Sequence, residues 1–218
     1  MKNIYETAHK NLLFDGVGSG DFEIMIRCLD ATARKYKKNG VVWLSGDAVD
    51  HVGLILSGGV QIIKEDADGN ATIITDLAAP EMFGEAFACA GVGRSPVTVQ
   101  ASEESEILFL NYKKIVGVCS SACGFHSKLI ENMLKLIAQK NLALNLKLEI
   151  LSKRTTREKL LAFFDARKGE TAGKFAIPYN REELAQYLCV DRSAMSNELC
   201  KMRDEGLLRF NKNVFEIL

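Results

Sequence analysis

Four side chains in one short stretch, Arg192, Ser193, Ser196 and Asn197, are of the types that hydrogen-bond to base edges in the DNA major groove. Their spacing sets them on one side of a helix, where an arginine pairs bidentately with guanine and an asparagine with adenine. A second set, Gly84, Glu85, Arg94 and Ser95, has the parts of a nucleotide phosphate site. Gly84 permits close backbone approach at a helix start, Arg94 and Ser95 supply a charge-assisted bond and a hydroxyl donor, and Glu85 accepts from a sugar hydroxyl. The same residues also fit a plain glycine turn with a surface arginine.

The elements that must position the first set are two short helices and their turn. Asn180 is an N-cap with Glu183 three residues on, and Leu184, Ala185 and Leu188 give the first helix an apolar face. Cys189, Val190 and Asp191 interrupt the period. Asp191 then caps a second helix whose Met195, Leu199 and Met202 pack back on the first, and Gly206 ends it. This is the pattern of a helix-turn-helix, and equally of an ordinary helical hairpin with a polar solvent face. Upstream, Thr155 or Thr156 caps a helix over Arg157 to Phe164, a loop follows from Gly169 to Gly173, and Phe175 to Pro178 reads as a short strand. Downstream, Leu208 to Phe210 and Val214 to Leu218 flank Asn211-Lys212-Asn213, a strand–turn–strand signal that makes a wing.

Residues 126–151 form one helical stretch without Gly or Pro. Ile130, Leu134, Ile137, Asn141, Leu144, Leu148 and Leu151 alternate steps of four and three, a seam for a parallel helix pair in which Asn141 is the one polar member. Such an asparagine fixes register and two-strandedness at a cost in stability. A core helix with Asn141 at its edge is the other reading.

The second candidate set lies in a β-rich region. After a short helix over Asp21 to Cys28, apolar runs at Val41–Leu44, Val52–Leu56, Val60–Ile63, Thr72–Leu77 and Ile107–Leu110 are separated by the turn signals Ser45-Gly46-Asp47, Ser57-Gly58-Gly59 and Asp68-Gly69-Asn70. Short strands at this spacing predict a closed sandwich or roll. The strand pattern breaks between the fourth and last runs, where Phe83-Gly84-Glu85 starts a short helical turn.

Composition bounds the rest. A chain of 218 residues, 47% hydrophobic and 26% charged, has room for two domains and an ordinary core. No run approaches a membrane span and the charged start lacks a signal peptide's apolar segment, so the expected location is cytoplasmic, with no membrane partner. Net charge is zero, yet residues 152–218 carry 13 Lys+Arg against 10 Asp+Glu, a basic bias that fits phosphate contact. The six cysteines are scattered as reduced thiols are; Cys119 and Cys123 are the one close pair, without zinc-ribbon or iron–sulfur spacing, and no metal is expected. His9, His51 and His126 have no pattern that would support haem ligation. There is no nucleophile elbow, P-loop or kinase signature, so no enzyme is expected.

The order β-roll, long helix, winged helix-turn-helix resembles the superfamily of the cyclic AMP receptor protein and the fumarate–nitrate reduction regulator (Crp/Fnr). The residues that carry the resemblance are Leu56-Ser57-Gly58-Gly59-Val60, Phe83-Gly84-Glu85, Arg94-Ser95, Arg181-Glu182-Glu183-Leu184-Ala185, Val190 to Ser196, and Asp204-Glu205-Gly206-Leu207-Leu208. It implies an α+β fold with an effector-sensing jelly roll over residues 1–124, a dimerisation helix over 125–151 and a winged helix-turn-helix over 152–218. It implies further a homodimeric transcription regulator on a near-palindromic operator in double-stranded DNA, with RNA polymerase as a possible partner. Arg192, Ser193, Ser196 and Asn197 would meet bases, Arg181 and Lys212 would complete the DNA contacts, and Gly84, Glu85, Arg94 and Ser95 would hold the effector. Asn141 sits where the cyclic AMP receptor reads adenine with hydroxyl side chains, and differs in type. The Glu85–Arg94 interval is one residue shorter than in cyclic AMP binders and Pro96 follows Ser95, two departures that count against cyclic AMP itself; the resemblance implies a small anionic effector, a cyclic nucleotide or another metabolite. The iron–sulfur cysteine cluster of the oxygen-sensing branch is missing. The alternative is a cyclic-nucleotide-like ligand-binding regulatory protein without a DNA role.

Overall fold

The computed structural model of the chain describes residues 2–66, 68, 71–117, 124–167 and 173–218. They fall into two compact units, 1–139 and 140–218. In the first, helices α1 (Lys2–Ala8) and α2 (Ser19–Cys28) precede strands β1 (Thr32–Tyr36), β2 (Val41–Trp43), β3 (His51–Ser57), β4 (Gly59–Glu65), β5 (Ala71–Ala78) and β6 (Met82–Phe83). Helix α3 (Glu85–Cys89), strands β7 (Thr98–Ala101) and β8 (Ser105–Asn111), and helices α4 (Tyr112–Val116) and α5 (Phe125–Ser152) follow.

The strands make two four-stranded antiparallel sheets, ordered β1-β8-β3-β6 and β2-β7-β4-β5. Strand β3 shows why its sequence is a continuous apolar run. Its Val52, Leu54 and Leu56 pack with Phe14, Phe22 and Leu129 on the helical side, while Ile55 packs between the sheets with Val60, Phe83, Val99, Ile107 and Phe109. A strand buried on both faces loses the polar alternation of a half-exposed one. Between Ile55-side neighbours the space is tight: a Cβ on Gly53 would stand 2.3 Å from the Phe83 ring. Gly53→Ala is therefore expected to cost about 1–3 kcal/mol through overpacking, read as a lower urea midpoint with unchanged slope.

Helix α5 joins the first core through Leu129, Met133 and Leu136, and its last turns join the second through Ile150. Asn132, fully buried, donates from Nδ2 to the carbonyls of Leu13 (3.0 Å) and Asp15 (2.8 Å), which ties α5 to the turn after α1.

The second unit holds α6 (Thr156–Asp165), β9 (Lys174–Ala176), α7 (Arg181–Leu188), α8 (Arg192–Asp204), β10 (Leu208–Asn211) and β11 (Val214–Ile217), with an antiparallel sheet ordered β10-β11-β9. Leu160, Phe163, Phe164, Leu184, Leu188, Met195, Leu199, Met202 and Phe215 form its core. The architecture is the α+β arrangement expected from sequence: roll, long helix, winged helix-turn-helix.

The sequence reading missed α1, β1, β6, β7 and α4. Strand β1, TARKY, is exposed along most of its length and so carries no apolar alternation. Strands β6 and β7 are too short for a period to emerge. The Cys119 and Cys123 pair, the Asp68-Gly69-Asn70 turn beyond Asp68 and the loop before Gly173 lie outside the described residues. Among the described residues no group of three metal-ligating side chains occurs, and no helix is long and apolar enough to cross a membrane.

Candidate functional site

The helix-turn-helix is built by local capping. Asn180 and Glu183 form a reciprocal capping box at the start of α7: Oδ1 of Asn180 accepts from Glu183 N at 3.0 Å, and Glu183 accepts from Asn180 N at 2.7 Å. Cys189 turns the chain in the left-handed region at φ +50°. Asp191 then caps α8, accepting from Ala194 N at 2.8 Å and from the Ser193 hydroxyl at 2.6 Å. The Ser193 bond, followed by the Ala194 bond, holds the Asp191 carboxyl below its ordinary range.

Met195, Leu199 and Met202 are buried, which turns Arg192, Ser193 and Asn197 outward; Ser196 is half-buried and donates to the Arg192 carbonyl at 2.9 Å. Arg192 Nε lies 3.6 Å from Glu182 Oε2 on the preceding helix. Both partners are exposed, and such pairs contribute little, so a guanine edge can take the guanidinium over.

Arg181 and Lys212, distant in sequence, line one depression with Asn180, Glu183 and Asn213. The Arg181 guanidinium lies over the rings of Phe210 (4.8 Å) and Phe215 (5.0 Å), and burial pulls it below the usual guanidinium range. It remains a cation. Lys212 occupies the wing turn at φ +52°, which Asn213 closes by donating from Nδ2 to Ile177 O at 3.1 Å.

Arg157, which sequence reading placed in a helix without a role, joins α6 to α8. It donates to both carboxyl oxygens of Glu205 at 2.7 Å and also to Glu198. Glu205 is thereby held below the usual carboxylate range, and Glu158 likewise by the Thr155 backbone in the α6 capping box. A depressed folded pKa means that the unfolded chain binds more protons on acidification, so these groups stabilise fully above their unfolded pKa and lose that contribution as pH falls through the folded one. Thermal melts should therefore show stability falling below pH ~4, and Glu158→Gln combined with Glu205→Gln should flatten that acid limb.

In the roll, Gly84 precedes α3 at φ +83°, where a Cβ would stand 2.5 Å from Trp43 Cη2. Glu85 and Ser95 are buried. The Ser95 hydroxyl donates to Val97 O at 2.6 Å, and exposed Arg94 donates from Nη1 to Gly46 O at 2.7 Å. These four residues lie in the first unit and Asn141 in the second, exposed, with Oδ1 accepting from Asn145 at 2.9 Å. Along the α5 seam Leu134, Leu144 and Leu148 are 65%, 61% and 64% exposed, while Ile130, Ile137 and Leu151 are half-buried. Leu142 and Leu146 are also exposed, outside the seam.

Of the histidines, His9 stacks on Tyr5, and buried His126 donates from Nδ1 to Gly117 O at 2.9 Å with Cys28 Sγ 3.4 Å from Nε2. His51 lines a chamber with Trp43 and Arg34. Trp43, the one tryptophan of the chain and next to a turn, was given no role in the sequence reading; here it lines that chamber.

Residues 33–122 match the model of the cyclic nucleotide-binding domain, and residues 157–218 that of the Crp-like helix-turn-helix domain. Among solved structures, the chain is similar to the catabolite activator protein of Thermus thermophilus at 21% identity, covering 95% of this chain and 94% of that one, TM-score 0.54. It is similar also to the c-di-GMP responsive global regulator CLP of Xanthomonas campestris, at 17% identity over 92% and 99% of the two chains with TM-score 0.59. FixK2 of Bradyrhizobium japonicum follows at 18% identity over 86% and 92%, TM-score 0.51. Likeness at these identities concerns the fold. No curated protein matches the chain in sequence.

Proposed function

We propose, since the chain joins a cyclic nucleotide-binding domain to a Crp-like helix-turn-helix domain and belongs to the Crp/Fnr superfamily of transcription regulators, that it works as an effector-responsive homodimer on near-palindromic DNA. The observation that carries the reading is the face of α8: Arg192, Ser193 and Asn197 point outward from a helix whose other side is fully packed. Arg192 and Asn197 would read base edges. Ser193 and Ser196 would add hydroxyl contacts, and Arg181, Arg209 and Lys212 would hold phosphates. The rings of Phe210 and Phe215 hold the Arg181 guanidinium beside the wing, where it would meet a phosphate.

Exposed Leu134, Leu144 and Leu148 on one seam support pairing of α5 with a second copy, with Asn141 setting register. Two copies would give two recognition helices and so two half-sites. Gly84, Glu85, Arg94 and Ser95 would frame the effector pocket. An effector would act by binding one arrangement of the dimer better than another. RNA polymerase is the further partner such a regulator addresses, and the cytoplasm is where it would meet its DNA. The family points to regulation of transcription rather than to an enzyme. Retardation of genomic fragments by the full chain, weakening steeply with salt, is the expected result. No retardation at any salt concentration would leave a ligand-binding protein without a DNA role.

A further inference from the structure

Between the two sheets, at the end where β1 is exposed, the roll holds a chamber of about 140 Å³. Its polar wall is Thr32, Arg34 and His51, and its apolar wall is Val42, Trp43 and Phe109. Strand register explains the grouping. Thr32 and Gly53 both pair with Phe109, and His51, two residues before Gly53, shares its face, which is the face Phe109 turns to the inter-sheet core. The Arg34 guanidinium stands 5.4 Å from the Phe109 ring centroid, a cation held over an apolar surface.

Trp43 divides this chamber from the residues expected to hold a cyclic phosphate. Its indole packs on Phe83 at 5.0 Å and fills the space in front of Gly84, where even a Cβ would meet it at 2.5 Å. The donors that would greet a phosphate are already engaged, Arg94 by the Gly46 carbonyl and Ser95 by the Val97 carbonyl. What is left open is far smaller than the roughly 300–1,000 Å³ typical of sites for nucleotide-sized or drug-sized ligands.

We propose that the roll's effector is a small organic acid rather than a cyclic nucleotide, its carboxylate on Arg34 with Thr32 and His51 beside it, and its apolar body against Trp43, Val42 and Phe109. The proposal rests on the reading of the roll as an effector domain; it places the effector in this chamber instead of at Gly84, Glu85, Arg94 and Ser95, and names its chemical class. Size selects against the nucleotide, and the single guanidinium facing an apolar wall selects a monoanion with an apolar part over a bare phosphate.

The sole tryptophan reports on its own site. Intrinsic fluorescence of the full-length protein would be titrated with benzoate, hexanoate, inorganic phosphate and cyclic AMP. Benzoate or hexanoate is expected to change the emission saturably, with phosphate and cyclic AMP inert at the same concentrations. Arg34→Met should weaken that binding at least tenfold, and Arg34→Lys should restore part of it; Arg34 is exposed, so both variants should fold, with melting curves as the check. Saturable binding of cyclic AMP, a response to phosphate alone, no response to either carboxylate, or carboxylate binding indifferent to Arg34→Met would each overturn the proposal. Because the titration contains no DNA, its outcome is separate from whether the protein retards DNA.

Discussion

Leu144→Glu combined with Leu148→Glu is expected to convert the protein to a monomer at micromolar concentration and to abolish operator binding. In the single chain both leucines are about two-thirds water-exposed, on a helix that packs through Leu129, Met133 and Leu136 near its start and Ile150 near its end, with residues 138–146 exposed. Pairing two copies about a two-fold axis would bury the remaining two-thirds of four such side chains, each contributing roughly 1–2 kcal/mol. Replacing them with carboxylates forfeits at least about 4 kcal/mol before like-charge repulsion is added, about three orders of magnitude in the dimer constant. Sedimentation and light scattering check the mass, and anisotropy with labelled duplex checks the loss of DNA affinity. Asn141→Leu, by contrast, should keep or raise thermal stability while loosening register. A wild type that is already monomeric would remove the basis for both expectations.

The second large effect is expected at Arg192. Loss of a bidentate arginine–guanine contact costs about 1–3 kcal/mol at one base pair, and a dimer loses it in both half-sites, so Arg192→Ala should weaken a symmetric operator by roughly 2–6 kcal/mol. Its signature is positional: single-base variants at the contacted pair should bind the mutant nearly equally, while preferences elsewhere persist. Arg209→Ala or Lys212→Ala should instead weaken all sequences alike and lower the salt slope by about one. Releasing Arg192 from Glu182 has little influence on these numbers, because that pair is exposed.

What sequence alone revealed depended on how local the cause was. The two helices around Asp191 were legible because a capping box, a cap and a helical period are each written within a few residues. The same holds for the wing, whose turn residues sit between two short apolar runs. The chamber beside Trp43 was not legible, since β1, β2, β3 and β8 bring its walls together from positions scattered across the first half of the chain. Nor could Arg181's seat over Phe210 and Phe215, or the bond from Arg94 to Gly46, be read from spacing. Strand β1 was missed for a physical reason: Thr32 to Lys35 are all exposed, so polar residues serve there as well as apolar ones. The seam on α5 was legible as a period, but the period does not say that Ile130, Ile137 and Leu151 are already half covered within the chain.

The most direct test of the central claim is to let the full-length protein select its preferred sites from random double-stranded DNA. The expected outcome is one enriched near-palindrome, with half-sites centred about 10 bp apart or a multiple of that helical turn, as two copies of α8 related by a two-fold axis require. Enrichment of no sequence over the starting pool, or of a single unrepeated half-site, would contradict it.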